Sequence, residues 1–302
     1  MDTIAALEKD IFLQVPALSA FNPQPMISTS HQKSSIFCGS GDSLAACMLA
    51  EAFSEYNVTA ADPLDLLKNK SIPKNNDVYI VSISGRTISN IKVAKLARKS
   101  IALTSNPTSK LGKACDKTIE LSFPNSDVIT AGTISFLNSA LTCISLVCDV
   151  NITKPHDIFN HAVESSKKIK LQNRVFFLGN MHTYPIAMYA AAKLYEILGY
   201  DAYYERLEQF SHMELFSAKK GDTVVILEEK TPHNKQLAKS LRAVGLNVIH
   251  PDPKSKNKMT QVLFFTFLFQ LVPLIMAKKK RQKDCHFVMA KKLRRASDQM
   301  IY

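Results

Sequence analysis

Short apolar runs alternate along the chain with longer amphipathic stretches. Ser35–Cys38, Asp77–Ser84 and Ile101–Thr104 are continuous apolar runs, the pattern of strands that are buried on both faces. Helical spacing follows in residues 44–56, where Asp42 or Ser43 is the expected cap, and in Ile88–Lys99. Strands that alternate with helices predict a parallel sheet covered by helices on both sides.

This rhythm occurs twice. The segment from Val175 resembles the one from Ile36, and the segment from Asp222 resembles the one from Asp77, both about 140 residues apart. Each half also ends in a long apolar helix. The prediction is an α/β protein with two tandem, doubly wound parallel sheets of three-layer, flavodoxin-like type. The expected divisions are a lead-in helix in 1–32, a first domain in 33–150, a linker in 151–165, a second domain in 166–277 and a basic tail in 278–302.

The apolar run 262–277, followed by a cluster of basic residues, imitates a membrane anchor. It has 16 residues, whereas a bilayer core needs about 20 in a helix. Gln270 and Pro273 interrupt it, and residues 133–150 form a matching apolar helix in the first half. A buried core helix is therefore the prediction, with the membrane anchor as the alternative.

Composition narrows the class of protein. The 38 Lys and Arg against 26 Asp and Glu give a net charge of +12, which suggests an anionic partner. Residues 278–302 hold nine basic and two acidic residues and so account for +7 of that excess. The six cysteines show no CxxC pairs or zinc spacing, and the N-terminus lacks a signal-peptide pattern, so a cytoplasmic protein with reduced thiols is expected.

One loop has the chemistry of a phosphate site. Residues 82–87, Ser-Ile-Ser-Gly-Arg-Thr, lie where a strand gives way to a helix, the edge at which open α/β sheets bind ligands. Three hydroxyls, a flexible Gly85 and free helix N–H groups suit an anion, although an ordinary turn with a Ser or Thr cap uses the same residues. In the second half the matching residues 227–231 include Glu228 and Glu229, which would repel phosphate. We therefore expect one phosphate site per chain.

SxSGxT after a buried strand, with CGSG about 40 residues upstream, resembles the sugar isomerase (SIS) domain family. Two copies in tandem resemble the isomerase half of glucosamine-fructose-6-phosphate synthase and the phosphoglucose/phosphomannose isomerases. In the second half, AMYAAAKLYEI resembles a family segment with a K-L-x-E-I core. Glu196 precedes His212 by 16 residues, the spacing that the family uses for its proton-transferring Glu and ring-opening His.

The resemblance implies roles for individual residues. Glu196 would shuttle the proton, His212 would open the ring from the neighbouring subunit of a homodimer with shared active sites, and Lys193 would hold the carboxylate ionised or stabilise an enediolate. The implied contacts of the phosphosugar are Ser40, Ser43, Ser82, Ser84, Gly85, Arg86, Thr87, Thr130 and Thr133, with Lys291 or Lys292 as a site-closing lysine.

The sequence also departs from the family. Arg86 replaces the usual Glu or Asn in SGxT, and the family's C-terminal pattern is not legible here. No metal or organic cofactor is expected, because an enediol mechanism needs neither.

Three functions remain open from the sequence. The first is an isomerase, or an ammonia-dependent deaminase or aminosugar isomerase, acting on a hexose 6-phosphate similar to fructose 6-phosphate. A phosphoglucose/phosphomannose isomerase is a specific form of it. Glutamine-dependent transfer is excluded, because the chain has no room for a glutaminase domain. The second function is a non-catalytic sugar-phosphate sensor, and the third is nucleic-acid binding through the basic tail.

Overall fold

The computed structural model describes residues 1–301. The chain divides into two compact units. The first unit consists of Ala20–Asn125, Gly132–Val150 and the residues from Ala290 on, and the second consists of Met1–Ser19, Ser126–Ala131 and Asn151–Met289.

The first unit is built on a five-stranded parallel sheet of order β2-β1-β3-β4-β5. Its apolar strands β1 and β3 lie side by side in the centre, where Cys38 pairs with Ile80. Its elements are α2 (Thr29–Gln32), β1 (Ser35–Cys38), α3 (Asp42–Phe53), β2 (Thr59–Ala61), α4 (Pro63–Lys68), α5 (Ser71–Asn75), β3 (Asp77–Val81), α6 (Ile88–Ala94), β4 (Lys99–Thr104), α7 (Lys110–Ala114), β5 (Lys117–Glu120), α8 (Ile134–Ser145) and α15 (Lys291–Ile301).

The second unit is built on a four-stranded parallel sheet of order β7-β6-β8-β9. Leu178 at the end of β6 pairs with Ile226 at the end of β8. Its elements are α1 (Thr3–Ser19), α9 (Pro155–Ser166), β6 (Val175–Leu178), a 3₁₀ turn (Met181–Thr183), α10 (Tyr184–Leu198), β7 (Ala202–Glu205), α11 (Leu207–His212), a 3₁₀ turn (Glu214–Ser217), β8 (Thr223–Ile226), α12 (Pro232–Ala243), β9 (Asn247–Ile249), α13 (Lys258–Lys279) and α14 (His286–Met289).

The prediction of an α/β fold with parallel sheets is confirmed, and several boundaries are corrected. The helix predicted over Ile88–Lys99 ends at Ala94, because Lys99 already belongs to β4. The residue at the N-terminal cap of α3 is Gly41, with φ +59°, and neither Asp42 nor Ser43 caps that helix.

Residues 151–165 were predicted as a linker and instead contain most of α9. This helix is amphipathic and buries Ile158, Phe159 and Ala162, and it packs along α13. Most residues of this stretch are polar, so its composition suggested a linker. Its few apolar residues recur at helical spacing and form one buried face.

Helix α13 is the one helix in residues 1–301 that is long and apolar enough to cross a bilayer by length and composition. Its most apolar window is 83% buried inside the protein, and both Gln270 and Pro273 lie in the buried part. The prediction of a core helix is thus confirmed. A helix that is apolar on all sides is stable in a folded protein when other segments cover all of its sides.

The cysteines and the basic tail complete the fold. No disulfide joins the six cysteines, of which Cys38, Cys47, Cys143 and Cys285 are buried. The end of the basic tail is helical in α15, which has no buried residues, and both Lys291 and Lys292 are exposed there.

Candidate active site

The predicted phosphate loop connects β3 to α6 in the first unit. Ser82 is only 5% exposed and lies directly after the strand. Gly85 has φ +61°, and a β-carbon at this position would collide with Oγ of Ser109. Glycine is therefore required both for the backbone conformation and for the close approach of the two loops.

The hydroxyls of this loop are available to a ligand. Thr87 is the N-cap residue of α6, but its side chain makes no capping hydrogen bond. Among residues 1–301, no hydrogen bond involves the hydroxyl of Ser82 or Thr87, while Oγ of Ser84 accepts a 3.4 Å bond from the N–H of Arg86. Thr87 therefore does not cap α6, whereas the contact of Ser84 with Arg86 is of the kind found in an ordinary Ser/Thr turn.

A second loop follows β1 and includes Ser40 and Ser43. Because β1 and β3 are neighbouring parallel strands, this loop and residues 82–87 leave the sheet at the same edge. Gly41 turns the chain with a positive φ, and the N–H of Ser43 donates to the carbonyl of Ser40. The first unit therefore presents two hydroxyl-bearing loops side by side.

The predicted segment Thr130–Thr133 is divided between the units. Thr133 belongs to the first unit, and its buried Oγ1 has no hydrogen-bond partner among the described residues. Thr130 belongs to the second unit, where its hydroxyl donates to Oδ2 of Asp10 at 3.0 Å. Arg86, by contrast, is exposed to solvent.

The second unit contains the predicted Lys193–Glu196 pair on α10. The three-residue spacing places both side chains on one helix face, as expected, and Nζ of Lys193 donates to Oε2 of Glu196 at 2.5 Å. The Lys193 side chain is 0% exposed and that of Glu196 is 37% exposed. A buried ammonium is costly unless it is paired, so this contact differs from an ordinary surface ion pair. The lysine holds the carboxylate from below, and the glutamate is the member of the pair that solvent reaches.

His212 is the last residue of α11 and is 70% exposed. Its Nε2 lies 3.8 Å from Oε1 of Glu208, which is also exposed. No hydrogen bond or ion pair joins His212 to Glu196 within residues 1–301. A single chain thus assembles the Lys–Glu pair and leaves the histidine at its surface.

The loop after β8 is the second unit's equivalent of the phosphate loop. Glu228 lies two residues after Ile226, as Ser82 lies two residues after Ile80, and these strand ends occupy the same register against their neighbours. Oε1 of Glu228 accepts from the N–H of Asn180 at 2.7 Å and from Oγ1 of Thr183 at 2.5 Å. Burial raises the pKa of this carboxyl, and the two hydrogen bonds partly oppose the shift. The carboxylate does more than repel an anion, because it occupies the donors at the end of the neighbouring strand.

Sequence reasoning missed the residues that support the Lys–Glu pair. Tyr189 lies beneath Lys193, and Gln270 hydrogen-bonds to Tyr189. The signal was present in Gln270, a polar residue within an apolar run. Among residues 1–301 there is no cluster of three or more His, Cys, Asp or Glu side chains arranged to hold a metal ion.

Comparison with known proteins gives a clear result for the fold. No family model matches the sequence, and no curated protein matches it either. Solved structures do match. A glucosamine-6-phosphate deaminase from Thermotoga maritima has a TM-score of 0.69 and 17% identity, with 93% of each chain covered. The C-terminal domain of a glucosamine-fructose-6-phosphate aminotransferase from Francisella tularensis has a TM-score of 0.66 and 17% identity, covering 89% of this chain and 94% of that one.

A tagatose-6-phosphate ketose/aldose isomerase from Escherichia coli has a TM-score of 0.66 and 17% identity, covering 93% of this chain and 91% of that one. At these identities the similarity concerns the fold. The chain therefore has the α/β fold with two parallel sheets that is also found in these proteins named for sugar phosphates.

Proposed function

We propose that this protein is a phosphosugar aldose–ketose isomerase of the tandem SIS type, or an ammonia-dependent aminosugar isomerase or deaminase, that acts on a hexose 6-phosphate. The observation that carries the proposal is the buried Lys193 held 2.5 Å from the solvent-accessible carboxylate of Glu196. The fold shared with a deaminase and a ketose/aldose isomerase supports it. A phosphoglucose/phosphomannose isomerase is the narrower form of the same proposal.

The binding step belongs to the first unit. The hydroxyls of Ser82, Ser84 and Thr87 donate to the phosphate oxygens, and Gly85 allows the backbone to approach them. Ser40 and Ser43, on the neighbouring loop at the same sheet edge, take part in binding the sugar. Arg86 adds a cation at the surface of the loop, and the hydroxyl of Thr133 is a further donor in this unit.

The chemical step belongs to the second unit. The carboxylate of Glu196 removes a proton from C2 or C1 of the open-chain sugar and returns it to the neighbouring carbon through an enediol. Lys193 pairs with the Glu196 carboxylate, and because the lysine is fully buried, this role is favoured over direct contact with the enediolate. No metal or organic cofactor enters this scheme.

Ring opening is assigned to His212 of a second copy in a homodimer. The exposure of His212 and its lack of contact with Glu196 in its own chain support this assignment. Lys291 or Lys292 remains the proposed site-closing lysine, and the proposed location is the cytoplasm.

Hydrogen exchange tests the proposal. We expect the protein to incorporate deuterium at C1 of fructose 6-phosphate, or at C2 of the aldose phosphate formed from it, in deuterated water, measured by proton NMR. Glu196→Gln should reduce the rate by at least about 100-fold, since proton transfer by a positioned side chain contributes roughly 10²–10⁴-fold.

The matched control is Glu164→Gln. Glu164 also forms a Lys–Glu pair at i,i+3, with Lys167 at 2.6 Å, but on an exposed surface, so this variant should exchange like the wild type. Binding of fructose 6-phosphate without exchange would identify the non-catalytic sensor instead, and the absence of both binding and exchange would contradict the proposal.

A further inference from the structure

A chain of buried polar side chains lies beneath the Lys193–Glu196 pair in the second unit. Gln14, Tyr189, Lys193 and Gln270 are each 0% exposed and come from three different helices, α1, α10 and α13. Burying a polar group costs free energy unless it is hydrogen-bonded, and burying a charge costs more. Four such groups in one apolar core therefore require an explanation.

The first links of this chain are hydrogen bonds between helices. Nε2 of Gln14 donates to Oε1 of Gln270 at 2.6 Å, and Nε2 of Gln270 donates to Oη of Tyr189 at 2.8 Å. Nε2 of Gln270 also lies 3.2 Å from Oε1 of Gln14. The two amides thus fix the hydroxyl end of Tyr189 from α1 and α13.

The last links run along α10. Nζ of Lys193 lies 4.8 Å from the centroid of the Tyr189 ring, four residues before it on the helix, and the same Nζ donates to Glu196. The face of an aromatic ring attracts a cation most strongly when the cation is desolvated, as Lys193 is. The ring therefore supports the ammonium on one side while the carboxylate binds it on the other.

We propose that Tyr189, anchored by Gln270, is a positioning residue that fixes the Lys193 ammonium against the carboxylate of Glu196. The importance of this role for turnover rests on the proposed function of Glu196, whereas the positioning itself does not. It also accounts for a glutamine in the middle of the apolar helix α13, where a leucine would otherwise pack.

A cysteine also lies near the pair. Lys193 contacts Glu196 directly, and Cys285, on the segment between α13 and α14, is electrostatically coupled to both side chains. Burial raises the pKa of the Cys285 thiol, so it stays neutral at physiological pH. The charge in direct contact with Glu196 is that of Lys193.

The decisive measurement is the titration of the Glu196 carboxyl by ¹³C NMR in glutamate-labelled protein, with the signal assigned by its loss in Glu196→Gln. We expect Tyr189→Leu, which removes the ring, to raise the titration midpoint by up to about one pH unit, the upper limit set by the whole free energy of a cation–π contact to a desolvated ammonium. Tyr189→Phe keeps the ring and loses the anchor, so a smaller rise is expected.

The matched control is Tyr195→Phe. Tyr195 lies on the same helix and donates its hydroxyl to the carbonyl of Ala202 at 2.7 Å, so its loss should leave the midpoint unchanged. In the exchange assay, Tyr189→Leu should be up to about tenfold slower than the wild type below the shifted midpoint and should approach it at higher pH.

An unchanged midpoint in a folded Tyr189→Leu protein would overturn the inference, even if the wild type catalyses exchange. If this variant does not fold, the titration midpoint is measured in Tyr189→Phe and Gln270→Met, which both retain the core volume. An unchanged midpoint in both would likewise overturn the inference. A wild type without exchange would overturn the proposed function, while the titration would still judge the positioning role.

Discussion

Two loops occupy equivalent places in the two sheets and have opposite chemistry. After β3 the chain presents Ser82, whose hydroxyl makes no hydrogen bond within residues 1–301, and after β8 it presents Glu228, whose carboxylate accepts from Asn180 and Thr183. The threonines that precede the following helices also differ in whether their side chains are hydrogen-bonded within the chain. The side chain of Thr87 caps nothing, whereas Oγ1 of Thr231 accepts from the N–H of Asn234 at 3.1 Å.

The difference separates a strand end whose hydroxyls lack partners in the described chain from one whose donors are already bound by the chain itself. Donors at the carboxyl edge of a parallel sheet need an acceptor, which the chain or a ligand can supply. The second unit supplies its own, in Glu228. The first unit leaves the hydroxyls of Ser82 and Thr87 without a partner within residues 1–301, which is the property that the proposed phosphate site requires.

The strongest way to break this contrast is Ser82→Glu, which gives the first loop the residue of the second. A carboxylate in this buried position should weaken fructose 6-phosphate binding by about 100-fold or more, because like charges about 4 Å apart repel by roughly 4 kcal/mol near a protein surface. Isothermal titration calorimetry measures the affinity. Thr59→Glu introduces the same charge on an exposed residue at the opposite end of the sheet and should bind normally. Equal affinities of the two variants would disprove the site.

A milder test compares the two threonines. Thr87→Val should lower phosphosugar affinity about tenfold, the value of one hydrogen bond to a charged group, with little change in thermal stability. Thr231→Val should cost about 1 kcal/mol of stability through the lost cap and leave affinity unchanged. Calorimetry measures the phosphosugar affinity of both variants, and thermal unfolding measures their stability. If Thr87→Val lost stability and Thr231→Val lost affinity, the capping roles would be assigned wrongly.

The smallest effect concerns Glu228 and pH. Its pKa is raised in the folded state, so the folded protein binds this proton more tightly than the unfolded chain does, and the wild type loses stability as pH rises from the ordinary glutamate value of about 4.5 through the raised one. Glu228→Gln cannot ionise, so its stability relative to the wild type should increase across that window and then level off. Chemical denaturation at several pH values measures this, and a difference that is independent of pH would contradict the assignment.

Much of the architecture could be predicted from local pattern. Ser35–Cys38 was predicted with its observed bounds, and the burial of α13 followed from Gln270, Pro273 and the length of the run. The linker prediction for 151–165 was wrong because the apolar face of α9 has helical spacing within a polar composition. The helix after Ile88 was predicted too long because residues 95–99 are compatible with a helix. In the structure Lys99 belongs to β4 and pairs with Asp77 of β3.

For the site, the sequence by itself determined which chemistry is possible. The spacing of Lys193 and Glu196 on one helix face, the hydroxyls of residues 82–87 and the two carboxylates of residues 227–231 are all local facts, since neighbours in a helix or loop are set by the chain. Only the tertiary structure decided which groups are satisfied. Helix α10, which carries the buried Lys193, packs against the distant helix α13. The partners of Glu228 follow β6 and lie 45 and 48 residues away. Whether a polar group finds a partner depends on such contacts between distant segments.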